Sequence, residues 1–167
     1  PKSAEGSLIE RDGKVVGSTK WEGPVDIGTH QVTVKKQGFY TWSQDVEVVT
    51  VPAPSTLTLG RQGLSRLLAR GARPTAVFCS SDGLAQGVLT EARVRGLRVP
   101  EDLAVVGFGD ADFAAHLEPS LTSVHVDGAA IGRRAAQQIL AGCADRPVDQ
   151  RIIDVGFRIV ERRSTSA

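Results

Sequence analysis

Cysteine is scarce. Cys79 and Cys143 are the two in 167 residues, too few for a disulfide framework, and they form neither a CxxC pair nor a zinc-ligand spacing. Cys79 closes an apolar run, the setting of a small buried hydrophobe rather than a reactive thiol. An excess of one charge is also missing. Twenty basic and nineteen acidic side chains leave +1, which gives no electrostatic footprint for nucleic acid or an anionic membrane. No apolar stretch approaches the ~20 residues that span a bilayer, and Pro1 to Gly6 is too polar for a signal peptide. Aromatics are few, at 5%. What remains is 41% hydrophobic and 23% charged, the composition of a folded chain with one ordinary domain or two small ones.

Residue choice changes along the chain. All five lysines precede residue 37, and fourteen of the fifteen arginines follow residue 60. Trp21, Phe39, Tyr40 and Trp42 cluster early. Such a shift, with hardly any change in net charge, points to two modules, 1–55 and 56–167, joined near Val51-Pro52-Ala53-Pro54-Ser55, where prolines interrupt pairing. The predicted fold class is α/β: a small all-β module followed by a parallel-sheet domain.

In the first module, Asp12-Gly13 predicts a type I′ hairpin turn between Ser7–Glu10 and Lys14–Val16, because both turn positions need φ > 0. His30–Lys36 alternates, with Val32 and Val34 on one face. Asp45–Val51 and Thr56–Leu59 are expected to add strands, and the four early aromatics are expected to form the core. Gly17-Ser18-Thr19, Glu22-Gly23-Pro24-Val25-Asp26, Gly28-Thr29-His30-Gln31-Val32-Thr33-Val34 and Gly38-Phe39-Tyr40 together resemble the PEGA domain, a small bacterial β-module. The resemblance covers about 5–59, departs at Lys20-Trp21, and implies structural or interaction roles.

In the second module the period becomes helical. Leu64, Leu67 and Leu68 form a stripe over Arg61–Arg70, stopped by Gly71. Thr75–Cys79 and Leu103–Val106 are continuously apolar, as in strands buried on both faces. Asp82 is expected to cap a helix striped by Leu84, Ala85, Val88, Leu89 and Ala92. Ser123–Val126 is a third strand, Asp127 caps a further helix reaching about Ala141, and Ile152–Val160 is an edge or crossing strand. This alternation predicts parallel strands with right-handed crossovers.

Ligands of open parallel sheets lie beyond the carboxyl ends of the strands. Here those ends are Cys79-Ser80-Ser81-Asp82 and Gly107-Phe108-Gly109-Asp110. Short hydroxyls and carboxylates suit a polyol or sugar acid, whereas a plain cap role for Asp82 and a plain turn role for Asp110 are the simpler alternatives. Gly107-Phe108-Gly109 begins like a dinucleotide fingerprint, but Asp112 stands where the third glycine belongs and would face a pyrophosphate. Ser80 or Ser81 with His116 or His125 lacks the order and the G-x-S-x-G turn of a hydrolase. Neither enzymatic activity nor a cofactor is expected.

Three further runs complete the pattern: Arg73 to Asp82, Gly96 to Phe108, and Pro119-Ser120-Leu121-Thr122-Ser123-Val124. With Ile131-Gly132-Arg133-Arg134-Ala135-Ala136 and Arg162-Arg163-Ser164-Thr165, they resemble the effector-binding half of LacI/GalR repressors over about 60–167. Gly107-Phe108-Gly109-Asp110 with Asp112-Phe113-Ala114 is most similar to the gluconate-repressor branch. This resemblance implies a cytoplasmic transcription regulator of periplasmic-binding-protein-like fold that binds a sugar or sugar acid. It implies ligand contacts at Ser81, Asp82, Gly109, Asp110 and Phe113, and a homodimer using Leu84, Val88 and Leu89. Gly109 stands where the family commonly has aspartate. Without a helix-turn-helix headpiece or the amino-terminal effector subdomain, the chain resembles a half-site joined to a β-module, as in a fragment or fusion. DNA is then expected to be reached only through an absent headpiece, no membrane is expected as a partner, and effector affinity is expected to be weak. The competing reading is a structural or interaction protein of the cell envelope, with the α/β part as scaffold.

Overall fold

The computed structural model describes residues 7–18, 26–37, 40–71, 73–143 and 152–166. It comprises two compact units, Pro1–Val51 with Arg66–Arg73, and Pro52–Ser65 with Pro74–Ala167.

The first unit carries an antiparallel sheet of β1 (Leu8–Arg11), β2 (Lys14–Ser18), β3 (Gly28–Lys35) and β4 (Trp42–Val48), in the order β2-β1-β3-β4. Asp12 and Gly13 turn the first hairpin with φ of 51° and 75°, the pair of positive values that a type I′ turn requires. Two of the aromatics expected in the core are outside it: Tyr40 is fully exposed and Trp42 half exposed. Tyr40 lies ahead of β4, where no strand among the described residues pairs with it. Trp42 opens that edge strand opposite Val34, at the last pair of the register. Trp21 and Phe39 lie outside the described residues.

Thr56–Leu59 is not a strand. Thr56 caps α1 (Leu57–Ala69), its Oγ1 accepting from the Leu59 N–H at 3.3 Å and its carbonyl from Gly60 N–H at 3.0 Å. A threonine side chain that satisfies a first-turn donor favours a helix start over a strand. The first turns of α1 cross α2 (Asp82–Val94) at Gly60 and Gly87, where a Cβ on Gly60 would strike the Leu84 carbonyl and one on Gly87 the Leu57 carbonyl. Beside this crossing, the buried Glu91 carboxylate accepts from Arg61 Nε at 3.0 Å, Arg95 Nε at 2.8 Å and Ser65 Oγ at 3.0 Å. The pairing holds the Glu91 carboxyl below its usual value, through Arg95 first, then Ser65 and Arg61.

The second unit is built on a mixed sheet, β5 (Ala76–Phe78), β6 (Ala104–Phe108), β7 (Thr122–His125) and β8 (Arg158–Val160), in that order. The first three strands run parallel and β8 returns antiparallel at the edge. One face is the core. Val105, Leu103 and Leu121 are sealed there together with Leu84, Ala85, Val88, Leu89 and Ala92 of α2. The other face is open. Phe78, Phe108 and Ile159 are 63%, 42% and 64% exposed, so β5 is not buried on both sides as its apolar run suggests. Length misleads here, since a continuous apolar run does not itself say what covers each face. The helix α3 (Gly128–Cys143) starts at Asp127, whose Oδ1 accepts from Ala130 N–H at 2.8 Å, and it buries none of its side chains.

The carboxyl-terminal residues are woven into the sheet. Ser164 is fully buried; its Oγ donates to the Val105 carbonyl at 2.6 Å and accepts from Thr122 N–H at 2.8 Å. Among the described residues, no helix is long and apolar enough to cross a membrane.

Candidate functional site

The turns that leave β5 and β6 meet at one rim. The chain leaves β5 through Cys79, whose N–H donates to the Val106 carbonyl at 2.8 Å. Burial pushes the Cys79 thiol up to about 12, with the Asp82 charge adding to the effect, so it is a protonated core side chain. Ser81 is extended (φ −158°, ψ 156°) and is the N-cap of α2, its Oγ accepting from Leu84 N–H at 3.2 Å. The cap expected at Asp82 therefore belongs to Ser81, and Asp82 is the first residue inside the helix.

Asp82 points inward and is 3% exposed. Its Oδ1 accepts from Ser123 Oγ at 2.6 Å and its Oδ2 from Ala111 N–H at 2.6 Å. One carboxylate thus ties α2 to β7 and to the turn after β6. The approach is close enough that a Cβ on Gly107 would collide with Asp82 Oδ1, which explains a glycine in the middle of this rim.

Gly109 and Asp110 both have positive φ, 121° and 54°. Glycine takes the first value without steric penalty, and aspartate is among the residues that tolerate the second. The turn is pinned by Gly109 N–H to the Val124 carbonyl at 2.9 Å and by Asp110 N–H to Ser123 Oγ at 3.0 Å. The Asp110 carboxylate accepts from Arg162 Nη2 at 2.7 Å on one oxygen and lies 3.1 Å from His125 Nδ1 on the other. Burial works to raise the Asp110 carboxyl, but Arg162 and His125 outweigh it and hold it below the usual aspartate value. Arg162 also donates through Nη1 to the Leu121 carbonyl at 2.7 Å. Phe113, in a short 3-10 helix over Asp112–His116, is 37% exposed, beside a buried Ala114.

The structure therefore brings Ser81, Asp82, Gly109, Asp110 and Phe113 onto neighbouring turns, in different states. Ser81 is half-buried, its hydroxyl oxygen accepting from Leu84 N–H. Gly109 is open at the surface, Phe113 shows part of its ring, and Asp110 is partly covered. Asp82 has both oxygens engaged within the protein. Leu84, Val88 and Leu89 lie in the protein's own core, with 8%, 4% and 8% exposure, rather than on a free surface.

Ser123, His125 and Arg162 complete the rim, and no local sequence signal marks them. Arg162 stands 52 residues from the aspartate it holds, and Ser123 lies inside an ordinary strand pattern. Neither Ser80 nor Ser81 hydrogen-bonds a histidine among the described residues, and none of them form a group of three or more His, Cys, Asp or Glu side chains placed to hold a metal ion.

Comparison with known proteins fits this geometry. The model of the periplasmic binding protein-like domain matches residues 21–165, a span that reaches back across most of the stretch resembling PEGA. The HTH-type transcriptional regulator GntR of Pseudomonas aeruginosa is 41% identical over 132 residues, 79% of this chain and 38% of that protein. The solved transcription regulator GntR from Chromobacterium violaceum superposes with a TM-score of 0.63 at 38% identity, over 70% of this chain and 43% of the other. The transcriptional regulator CelR, solved as a cellobiose complex, gives 0.62 at 32% identity, over 65% and 33%. The chain spans less than half the length of each of these relatives.

Proposed function

Since the chain belongs to the periplasmic binding protein-like family, we propose that residues 56–167 are an effector-sensing module of a LacI/GalR-type transcription regulator, which takes a small sugar or sugar acid at the rim beyond β5 and β6. The observation that carries this reading is the Asp82 bridge. By accepting from both Ser123 and Ala111, it fixes the two strand-end turns side by side, where the ligands of open α/β sheets lie.

In this proposal Ser81, Gly109, Asp110 and Phe113 face the effector, and Asp82 shapes the rim from within. The Ser81 hydroxyl donates to a ligand oxygen, the open backbone at Gly109 admits a close approach, and the part-exposed Phe113 ring offers an apolar face to a sugar ring. Asp110, held ionised by Arg162 and His125, accepts from ligand hydroxyls. A relative solved with cellobiose and the gluconate-repressor-like sequence at Gly107 to Ala114 support a carbohydrate or sugar acid as the class.

A homodimer belongs to the same reading. Its contact would use the exposed end of α2 at Val94 and the groove of about 300 Å³ lined by Leu89, Leu97, Val99 and Pro119, since Leu84 and Val88 are buried. No DNA-reading element is proposed in the described residues, and a cytoplasmic location follows from the regulatory role.

Calorimetric titration with gluconate and cellobiose tests the proposal: saturable heat with either, reduced at least several-fold in Ser81→Ala, supports it, and no heat with any sugar or sugar acid contradicts it. The second reading, an interaction protein acting through the β-module, has the exposed Tyr40 and Trp42 in its favour, because large aromatics in water often mark contact surfaces.

A further inference from the structure

One titratable side chain outside the rim faces acceptors at both ends. His30 lies in β3, with Nδ1 2.8 Å from Asp12 Oδ2 and Nε2 3.0 Å from the Asp26 carbonyl oxygen. A carboxylate and a carbonyl can only accept. A neutral imidazole has a single N–H and satisfies one of them, leaving a lone pair against the other; an imidazolium satisfies both.

We propose that His30 is a proton-operated clasp: as imidazolium it fastens the Asp12-Gly13 turn and the Asp26 carbonyl to the start of β3, and on losing its proton it releases Asp26. Release falls at the Asp26 end because Asp12 is held in other ways. Its Oδ1 accepts from Gln31 N–H at 2.9 Å, and its own N–H donates to the Gln31 carbonyl at 2.9 Å. When neutral, the ring keeps its remaining proton on Nδ1, toward the carboxylate, and turns the bare Nε2 toward Asp26.

The charged groups around the ring come from each neighbouring strand. Asp12 belongs to the turn after β1, Arg11 to β1 itself, and Glu47 to β4, across from Thr29. The Asp12 hydrogen bond, then the Asp26 carbonyl, raise the His30 value above its ordinary 6.5, against burial and the repulsion of Arg11. Asp12 is lowered from 3.8, chiefly by His30.

The signs set the working range. A raised histidine contributes stability that is fully present below 6.5 and is lost as pH rises through the higher native value. A lowered aspartate contributes stability that is present above 3.8 and is lost as pH falls through its lower native value. The clasp is therefore closed in mild acid, opens on the alkaline side of the His30 midpoint, and opens again in strong acid.

A pH titration of the whole chain by NMR, following ring nitrogens and backbone amides, tests this. The expected result has both His30 ring nitrogens protonated in mild acid and a midpoint above that of histidine in an unfolded peptide, with the amides of Asp26, Ile27 and Gly28 shifting at that same midpoint. Asp12→Asn lowers the midpoint, and His30→Gln abolishes the amide shifts. A His30 midpoint at or below the unfolded value overturns the proposal, as do Asp26–Gly28 amides that do not follow the ring. Should either variant fail to fold, the unmodified chain decides alone.

Discussion

The Oδ2 atom of Asp82 accepts a hydrogen bond from the backbone N–H of Ala111 at 2.6 Å, 29 residues along the chain. A side chain at the first position of α2 thereby fixes the turn after β6. With Ser123 on its other oxygen, this carboxylate links the helix start after β5 and the turn after β6 to the second residue of β7.

Replacing Asp82 by Ala leaves the Ser123 hydroxyl and the Ala111 N–H without their acceptor. Stranding a donor away from water costs about 1–3 kcal/mol for each group, so the substitution is expected to destabilise the chain by about 2–6 kcal/mol, toward the lower end because the Ala111 bond is only part-buried. Urea unfolding measures it. A loss below about 0.5 kcal/mol, the ordinary surface range, contradicts the role given to Asp82.

The α1–α2 crossing predicts opposite outcomes for two helical glycines. Gly87→Ala pushes a methyl into the Leu57 carbonyl and the Gly60 backbone, and overpacking of this kind costs about 1–3 kcal/mol. Gly132→Ala on α3 meets nothing within 4 Å and gains up to about 1 kcal/mol of helix propensity. Thermal melts of the two variants should move in opposite directions.

Arg162→Met removes the stronger of the two partners that hold the Asp110 carboxyl. A carboxyl held below its ordinary 3.8 stabilises the fold above that value, and the benefit disappears as pH falls through the lower native value. The stability gap between the unmodified chain and the variant should be largest near neutrality and shrink in acid. Denaturant midpoints measured across that range check the sign; a gap that widens on acidification contradicts it.

The two thiols should differ sharply. Cys79 is buried, with its value pushed up to about 12, and Cys143 is exposed. A thiol-specific reagent is expected to modify only Cys143 in the folded chain and both after denaturation. Rapid labelling of Cys79 without unfolding would show that the core at the end of β5 opens.

Much of this architecture is legible in residue order. The Asp12-Gly13 turn, the α2 stripe and the Asp127 cap are local, and local steric or capping rules are enough to place them. The site is half legible. Small polar residues after apolar runs mark the rim, but partners distant in sequence decide what each one does: Ser81 takes the cap that Asp82 was expected to provide, because the Asp82 carboxylate is drawn inward by Ser123 and Ala111. The errors share a cause. Thr56–Leu59 has strand-like composition, yet a threonine cap starts a helix there. Phe78, Tyr40 and Trp42 are apolar enough for a core, yet the fold leaves them uncovered. Composition fixes the tendency to be buried, and tertiary placement decides whether it is met.

Amide chemical-shift mapping with gluconate and cellobiose would show whether the strand-end turns around Ser81 and Asp110 form one receptor rim. Saturable shifts concentrated at Ser80 to Gly83, Gly109 to Phe113 and His125 are expected. Shifts confined to the β-module around Tyr40 and Trp42, or none with any sugar or sugar acid, would contradict such a rim.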